Sequence, residues 1–308
     1  LNDPNNPGTL QEKTAIGADE HDERDVAIAD INGDGVPDMI VVRKDAPNAV
    51  YFGDPTRPGD YEKTQKDEFG AASDGSEKVS VVDMDNDPLT PPDIIFSNEN
   101  TFDKMLIGLT ESEEGLASVT GGTGPLAKKY KEIDLPDTDS TALEFKESTK
   151  GIGETTDSTV VVLSGSTGTK LLELTAAERE QLKDGTKTLG SGDYVALDPG
   201  VTEEATSVEI VDVTGDGVPD VVMHIPNDSG GVSVHIYSGA VGSALADNAL
   251  TKNTLGSAAI DGKELDVSDD GNTISVIDAA GGVHVFKKVG GVWSTTPQYP
   301  DPNGSDAA

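Results

Sequence analysis

Four stretches of the chain set oxygen-bearing side chains at alternate positions. The first runs Asp30, Asn32, Asp34 and Asp38, with Gly35 inside it and Val36 placed to offer its backbone carbonyl. A hard divalent cation such as calcium takes six to eight oxygens at about 2.3–2.6 Å. A tightly turned loop can present side chains at its first, third and fifth residues, a carbonyl at the seventh and a carboxylate further on. Gly35 supplies the sharp turn, which an unbranched residue takes without strain. The logic is that of an EF-hand loop, but strand-like runs flank this one and it stops short of the EF-hand length, so it is not an EF-hand. A second copy reads Asp212, Thr214, Asp216, Gly217, Val218 and Asp220, with a hydroxyl replacing the amide. A third, Asp83, Asp85, Asp87 and Asp93, lacks the glycine and carries an insertion within Leu89 to Pro92. The fourth, Asp266, Ser268, Asp270 and Gly271, is the weakest, because Ile274 stands where the last carboxylate belongs.

Asp-Gly and Asn-Gly pairs also make ordinary turns, and one such loop would decide little. Recurrence with the same acid spacing and the same flanks favours a cation, since carboxylates crowded into one short loop repel each other unless a positive charge sits among them. The expectation is three calcium ions, or four if the last loop binds. The ions would act first as parts of the fold, because an ion that binds only the folded chain adds its binding energy to stability.

The loops belong to an internal repeat. Gly17 and Asp30 stand in the same relation as Gly70 and Asp83, and the lead-ins Asn2-Asp3-Pro4 and Gly53-Asp54-Pro55 match. Downstream, Val213 to Asp220 nearly repeats Ile31 to Asp38. The units fall at approximately 18–70, 71–141, 142–198, 199–256 and 257–300, with 1–17 completing a terminal unit and 301–308 as a flexible tail. Val79-Ser-Val-Val and Val208-Glu-Ile-Val precede the loops as short alternating or apolar runs. Asp38 to Val42, Ile94 to Ser97 and Val221 to Ile225 follow them as β-branched runs too short for helices. Ala49 to Phe52 and Val232 to Tyr237 read as further strands. The unit at 142–198 lacks the acidic loop, with strands at Leu143 to Lys146, Thr159 to Ser164, Lys170 to Leu174 and Tyr194 to Leu197. Thr175 to Lys183 is the one helical stretch, with Thr175 as N-cap and a glutamate at N3. The stretch around 110–141 reads as an elaborated loop. Short strands repeated in this way predict an all-β fold, a single β-propeller of four-stranded blades over residues 1–308; a solenoid or a row of small sandwiches is less economical.

The chain has 57 acidic against 22 basic residues, a net charge of −35, which disfavours nucleic acid and anionic membranes and favours cations and basic partners. Proteins of salty media carry similar surfaces, but salt does not explain the positions of the acids. Without cysteine, no disulfide can support a core drawn from only 34% apolar residues. No apolar run reaches the length of a membrane span, and no signal peptide is visible at Leu1; an exported protein would be present here in its processed form.

The strings Asp30-Ile-Asn-Gly-Asp-Gly-Val-Pro-Asp38 and Asp212-Val-Thr-Gly-Asp-Gly-Val-Pro-Asp220, with strands such as Ala49-Val-Tyr-Phe-Gly53, resemble FG-GAP/VCBS repeats, the blade motifs of integrin-α-type propellers and many secreted adhesion proteins. The resemblance covers about two thirds of the chain and departs from the pattern over residues 100–205. It implies calcium in the inter-strand loops, a ring of six or seven blades, and an extracellular adhesion or assembly role toward proteins or glycans.

Catalytic signatures are absent from the sequence. His21, His224, His235 and His284 have no zinc-site spacing, with His235 and His284 inside strands; no nucleophile elbow or phosphate loop occurs. The expectation is therefore a non-enzyme, with a lectin or a polysaccharide-cleaving propeller as the alternative. A 4% aromatic content counts against a sugar site, and Tyr51, Tyr61, Phe102, Tyr237 and Phe286 read as strand packing. Asn227-Asp-Ser229 and Asn303-Gly-Ser305 fit the N-glycosylation pattern.

Overall fold

The computed structural model describes residues 2–3, 6–10, 21–56, 61–84, 89–124, 126–138, 140–148, 158–165, 168–197, 205–225, 234–238, 251–255, 262–268, 270–278 and 282–294. Asp85, Asp87, the two glycosylation patterns and the tail at 301–308 lie outside them. The fold is all-β. Beyond a short pair, β1 (Asn2–Asp3) and β2 (Asn6–Leu10), the described residues form five four-stranded sheets, each built from strands consecutive in sequence.

By internal packing the chain forms two compact units, one of residues 1–96 and 105–133, the other of 97–104 and 134–308. The first sheet holds β3 (Glu23–Ala29), β4 (Asp38–Arg43), β5 (Asn48–Gly53) and β6 (Tyr61–Phe69) as an antiparallel meander. The second holds β7 (Ser76–Val82), β8 (Asp93–Asn98), β9 (Phe102–Gly108) and β10 (Tyr130–Thr138). The first unit's core lies between them. Ile40, Val42, Val50 and Phe69 pack against Val79, Ile94, Phe96, Leu106 and Tyr130, and Phe69 meets Phe96 edge-on with ring centres 5.3 Å apart.

In the second unit, the third sheet comprises β11 (Ser140–Ser148), β12 (Ser158–Gly165), β13 (Gly168–Thr175) and β14 (Tyr194–Ala196). The fourth comprises β15 (Ser207–Val211), β16 (Asp220–His224), β17 (Val234–Ser238) and β18 (Thr251–Leu255). The fifth comprises β19 (Gly262–Val267), β20 (Thr273–Asp278), β21 (Val283–Val289) and β22 (Val292–Trp293). Val160, Val162 and Leu171 meet Val208, Ile210, Val221, Met223 and Tyr237. On the other side of the fourth sheet, Val222, Val234 and Ile236 meet Leu265, Ile274, Val276 and Phe286. This explains the burial patterns: in β15, which opens its sheet, buried and half-buried residues alternate, while the inner strands β16 and β17 are buried throughout because another sheet covers each face.

The helix α2 (Ala176–Asp184) begins at Thr175 with a complete capping box, and Gly185 closes it at φ 77°. The stretch around 110–141 differs from the expectation of a loop: it contains a 3-10 turn (Glu111–Leu116), a short helix α1 (Leu126–Lys129), and the strand β10, the second sheet's fourth strand. Phe102 differs as well, being 47% exposed, whereas Tyr51, Tyr237 and Phe286 are buried. His235 and His284 are buried in β17 and β21.

Candidate metal centre

The acidic loop of residues 30–37 joins β3 to β4, where Ala29 pairs with Asp38 across the hairpin. Its shape is fixed by its own side chains. Asp30 Oδ1 accepts the N–H groups of Gly33 (2.8 Å) and Asp34 (3.1 Å), and Oδ2 accepts that of Gly35 (2.7 Å). Asn32 Oδ1 accepts the Asp34 N–H (2.8 Å), and Asp34 Oδ1 accepts the Val36 N–H (2.8 Å). These successive side-chain turns need Gly33 and Gly35 in the left-handed region, at φ 79° and 82°. The N–H groups thus turn inward onto the first carboxylate.

Asp38 has a second task. Its Oδ2 accepts from Ile31 (2.8 Å) and Asn32 (3.2 Å), and its Oδ1 accepts from Gly53 (2.9 Å) at the end of β5. One fully buried carboxylate therefore ties the start of the loop to the close of the third strand. Burial raises its pKa, against the three N–H bonds that lower it and with the charge of Asp34 pushing further up.

The loop of residues 212–219, between β15 and β16, repeats this pattern. Val213 and Thr214 donate to Asp220 Oδ2 (2.8 and 2.9 Å), Gly215 and Gly217 donate to Asp212 (2.6 and 2.8 Å), and Val218 donates to Asp216 Oδ1 (2.9 Å). Gly215 and Gly217 sit at φ 84° and 83°. The difference lies at the last carboxylate. Asp220 Oδ1 is buried with no hydrogen-bond partner among the described residues. Burial pushes the Asp220 pKa up to about 6, helped by the charge of Asp212 and opposed by the N–H groups of Val213 and Thr214 and the nearby Ser238 hydroxyl.

Of the third set, the structure places Asp83 at the end of β7 and Asp93 at the start of β8. Asp93 repeats the clasp, with Oδ2 accepting from Met84 (2.8 Å) and Oδ1 from Gly108 (2.7 Å) at the end of β9. The fourth set is divided. Asp266 lies inside β19, exposed and opposite Ser275. Ser268 and Asp270 form a tight turn in which Ser268 N–H donates to the Thr273 carbonyl (2.9 Å) and Ser268 Oγ to Asp270 (2.7 Å). The hairpin is shorter than the other two, so its first acid falls within the strand.

Two further groups went unread in the sequence. A Cβ on Gly53 would lie 2.6 Å from the Pro37 carbonyl oxygen, and one on Gly108 would lie 2.1 Å from that of Pro91. Only glycine lets the third strand come close enough to bond the buried aspartate. The available signal was a glycine closing the third strand in Phe52-Gly53 and Ile107-Gly108. The other group is a pair of lysines: Lys129 Nζ donates to the Asn32 carbonyl (2.8 Å), and Lys288 Nζ to the carbonyls of Val213 (2.5 Å) and Thr214 (3.1 Å).

Beside the first loop a cleft of about 400 Å³ is lined by Asp30, Asn32, Leu89, Pro91, Glu111 and Lys129. Tyr130, next to Lys129, is fully buried and donates to the Pro92 carbonyl (3.0 Å). Burial, with the charges of Asp93, Asp38 and Asp30, pushes its hydroxyl pKa well up.

In donor chemistry the loops suit a hard cation: every candidate ligand is oxygen, and the buried Asp220 Oδ1 lacks a described partner. Among the described residues, however, no three His, Cys, Asp or Glu side chains are grouped to hold a metal. The carboxylates alone do not make the site. The Asn32 amide, the Thr214 hydroxyl and the carbonyls of Val36 and Val218 must contribute to any ion held there.

No helix among the described residues is long and apolar enough to cross a membrane. No curated protein matches the chain in sequence. Residues 30–90, which span the first acidic loop, the clasp at Asp38 and the next unit's opening strand, match the family model of the FG-GAP-like repeat, so the chain is similar to that family there and carries an FG-GAP-like repeat.

Proposed function

We propose that this chain is a calcium-binding, extracellular interaction module, its four-stranded sheets serving as blades of a β-propeller that presents loops to a protein partner in adhesion or assembly. FG-GAP-like repeats are typically non-enzymatic, and a role in protein contact follows from that likeness. The observation that carries the calcium reading is the repetition of one loop. In two sheets of different sequence, residues 30–38 and 212–220 adopt the same side-chain-turned shape with oxygen-bearing residues at corresponding positions.

Asp30, Asn32, Asp34, Val36 and Asp38 would hold one ion, and Asp212, Thr214, Asp216, Val218 and Asp220 another. Asp83, Asp85, Asp87 and Asp93 would hold a third. The set at Asp266, Ser268 and Asp270 is the weakest, because its turn leaves Asp266 within a strand. A bound divalent charge would compensate acids that burial otherwise makes costly at Asp38 and Asp220. Of the rings singled out in the sequence, Tyr51, Tyr237 and Phe286 are buried and so offer no face to a sugar.

Metal counting by mass spectrometry on protein dialysed against calcium, paired with thermal unfolding before and after chelation, tests the reading. Retention of two or three ions and a lower melting temperature after chelation support it. A metal-free chain whose melting is indifferent to chelator overturns it.

A further inference from the structure

The two complete acidic loops share a contact that their own residues do not supply. Lys129 ends α1, ahead of the last strand of the second sheet, and Lys288 lies in β21, the third strand of the fifth. The two lysines come from unrelated places, a short helix in one case and a strand in the other, yet each ammonium reaches the carbonyl of its loop's third residue, Asn32 in one and Thr214 in the other, with Lys288 bonding the Val213 carbonyl as well. In each case the lysine comes from the sheet unit that follows the loop, from the connection leading into β10 in one and from within β21 in the other. Gly271, in the turn of the same fifth sheet, packs so tightly on this loop that a Cβ there would lie 2.2 Å from the Asp212 carbonyl oxygen.

We propose that Lys129 and Lys288 are positioning residues for the acidic loops, each fixing the third-residue carbonyl and so making cation uptake depend on the docking of the next sheet. This rests on the calcium reading above. A lysine acting merely as a counter-ion would be drawn to the carboxylates, which are full charges close at hand. Neither lysine forms an ion pair among the described residues; both donate to backbone carbonyls. The ammonium thus leaves the acids available while it orders the chain that carries them. Its own charge acts the other way, repelling an incoming divalent ion, but salt screens that repulsion over a Debye length of about 8 Å at physiological strength. The ordering of the loop does not depend on salt in that way, and an ordered loop binds with less entropy to lose.

The test uses the full chain and the variants Lys129→Met, Lys288→Met and the corresponding Lys→Arg pair, titrated with calcium chloride by calorimetry at low and high sodium chloride. Hydrogen exchange is followed in parallel on the calcium-free proteins. Loss of either lysine should weaken calcium binding at its own loop by about three- to tenfold, a tenfold loss being about 1.4 kcal/mol. The loss should persist at high salt and be largely restored by arginine. Exchange should quicken over residues 30–38 only in Lys129→Met and over 212–220 only in Lys288→Met. Tighter binding that returns to the parent value at high salt would show only a repelling neighbour and overturn the proposal, as would unchanged affinity and unchanged exchange. If the parent protein takes up no calcium, the calcium reading itself fails. Parent uptake with unaltered variants refutes the lysine role alone.

Discussion

The loops at 30–38 and 212–220 differ where their last carboxylate meets the rest of its sheet. Both begin with an aspartate wrapped by N–H groups, and both return to a buried aspartate that holds the residues opening the loop. Asp38 has both oxygens bonded, one of them to Gly53. Asp220 has one oxygen bonded and one without a described partner, and its pKa stands near 6. The loop's shape is therefore set locally, whereas the electrostatic strain at its end depends on what the third strand offers. Among the described residues the last carboxylate of the first loop is the better satisfied, so the second would have more to gain from an ion.

The largest expected effect contrasts the two clasps. Asp38→Ala strips acceptors from three N–H groups beside a buried site and should cost about 3–4 kcal/mol in calcium-free denaturation. Asp220→Ala, which frees two N–H groups and also removes a costly charge, should cost about half as much. Equal losses would break the comparison. Calcium at a hundred times its dissociation constant should add about 2.7 kcal/mol for each site filled only in the folded state. Comparing Asp34→Ala with Asp216→Ala would show which loop supplies more of that gain.

Acidity sharpens the contrast next. The Asp220 pKa is raised in the folded chain from 3.8 to about 6, so the folded state binds the proton more tightly than the unfolded one. Its contribution to stability is full below the unfolded value and is lost as pH rises through the folded value. Between about pH 4 and pH 6 the calcium-free protein should lose about 2 kcal/mol from this group. Asp220→Asn should flatten that slope in denaturation series across the window, and a slope unchanged by the substitution would contradict the assignment. The smallest effect is an exchange of third residues. Asn32→Thr and Thr214→Asn should each shift calcium-free stability by less than about 1 kcal/mol, because amide and hydroxyl both serve as short polar partners within the turn. A larger shift would show that the two loops are less alike than their hydrogen bonds suggest.

Much of this architecture was legible in the sequence, for reasons that vary by element. Val208-Glu-Ile-Val alternates because β15 has neighbouring sheets of differing cover on its two faces, and Thr175 with Glu178 announced a helix because a capping box is a local event. Tyr130–Thr138 escaped notice because it is the edge strand of its sheet, with an isolated bridge from Ser118 to Lys131 on its outer side, and at such an edge charges and a proline are tolerated and no apolar pattern is required. The spacing of Asp266, Ser268 and Asp270 does not carry the strand register, which sets where the turn begins. Once Val267 pairs with Ile274, the turn is too short to include the first of them. Gly53 and Gly108 carried the least signal, since the closeness that demands them is across the sheet rather than between chain neighbours.

The clasp at Asp38 also bears on how the chain folds. A single side chain joins Ile31 to Gly53, closing a circuit that lies wholly inside one sheet, and Asp93 does the same between Met84 and Gly108. Contacts of such short reach along the sequence incur little loop-closure entropy and can form early. Each meander would then take shape on its own hairpin before its faces are covered, and sheets would mature in the order of synthesis. Kinetic analysis of Asp38→Asn, with the loss falling mainly on the folding rate rather than the unfolding rate, would report that the clasp is already made at the barrier.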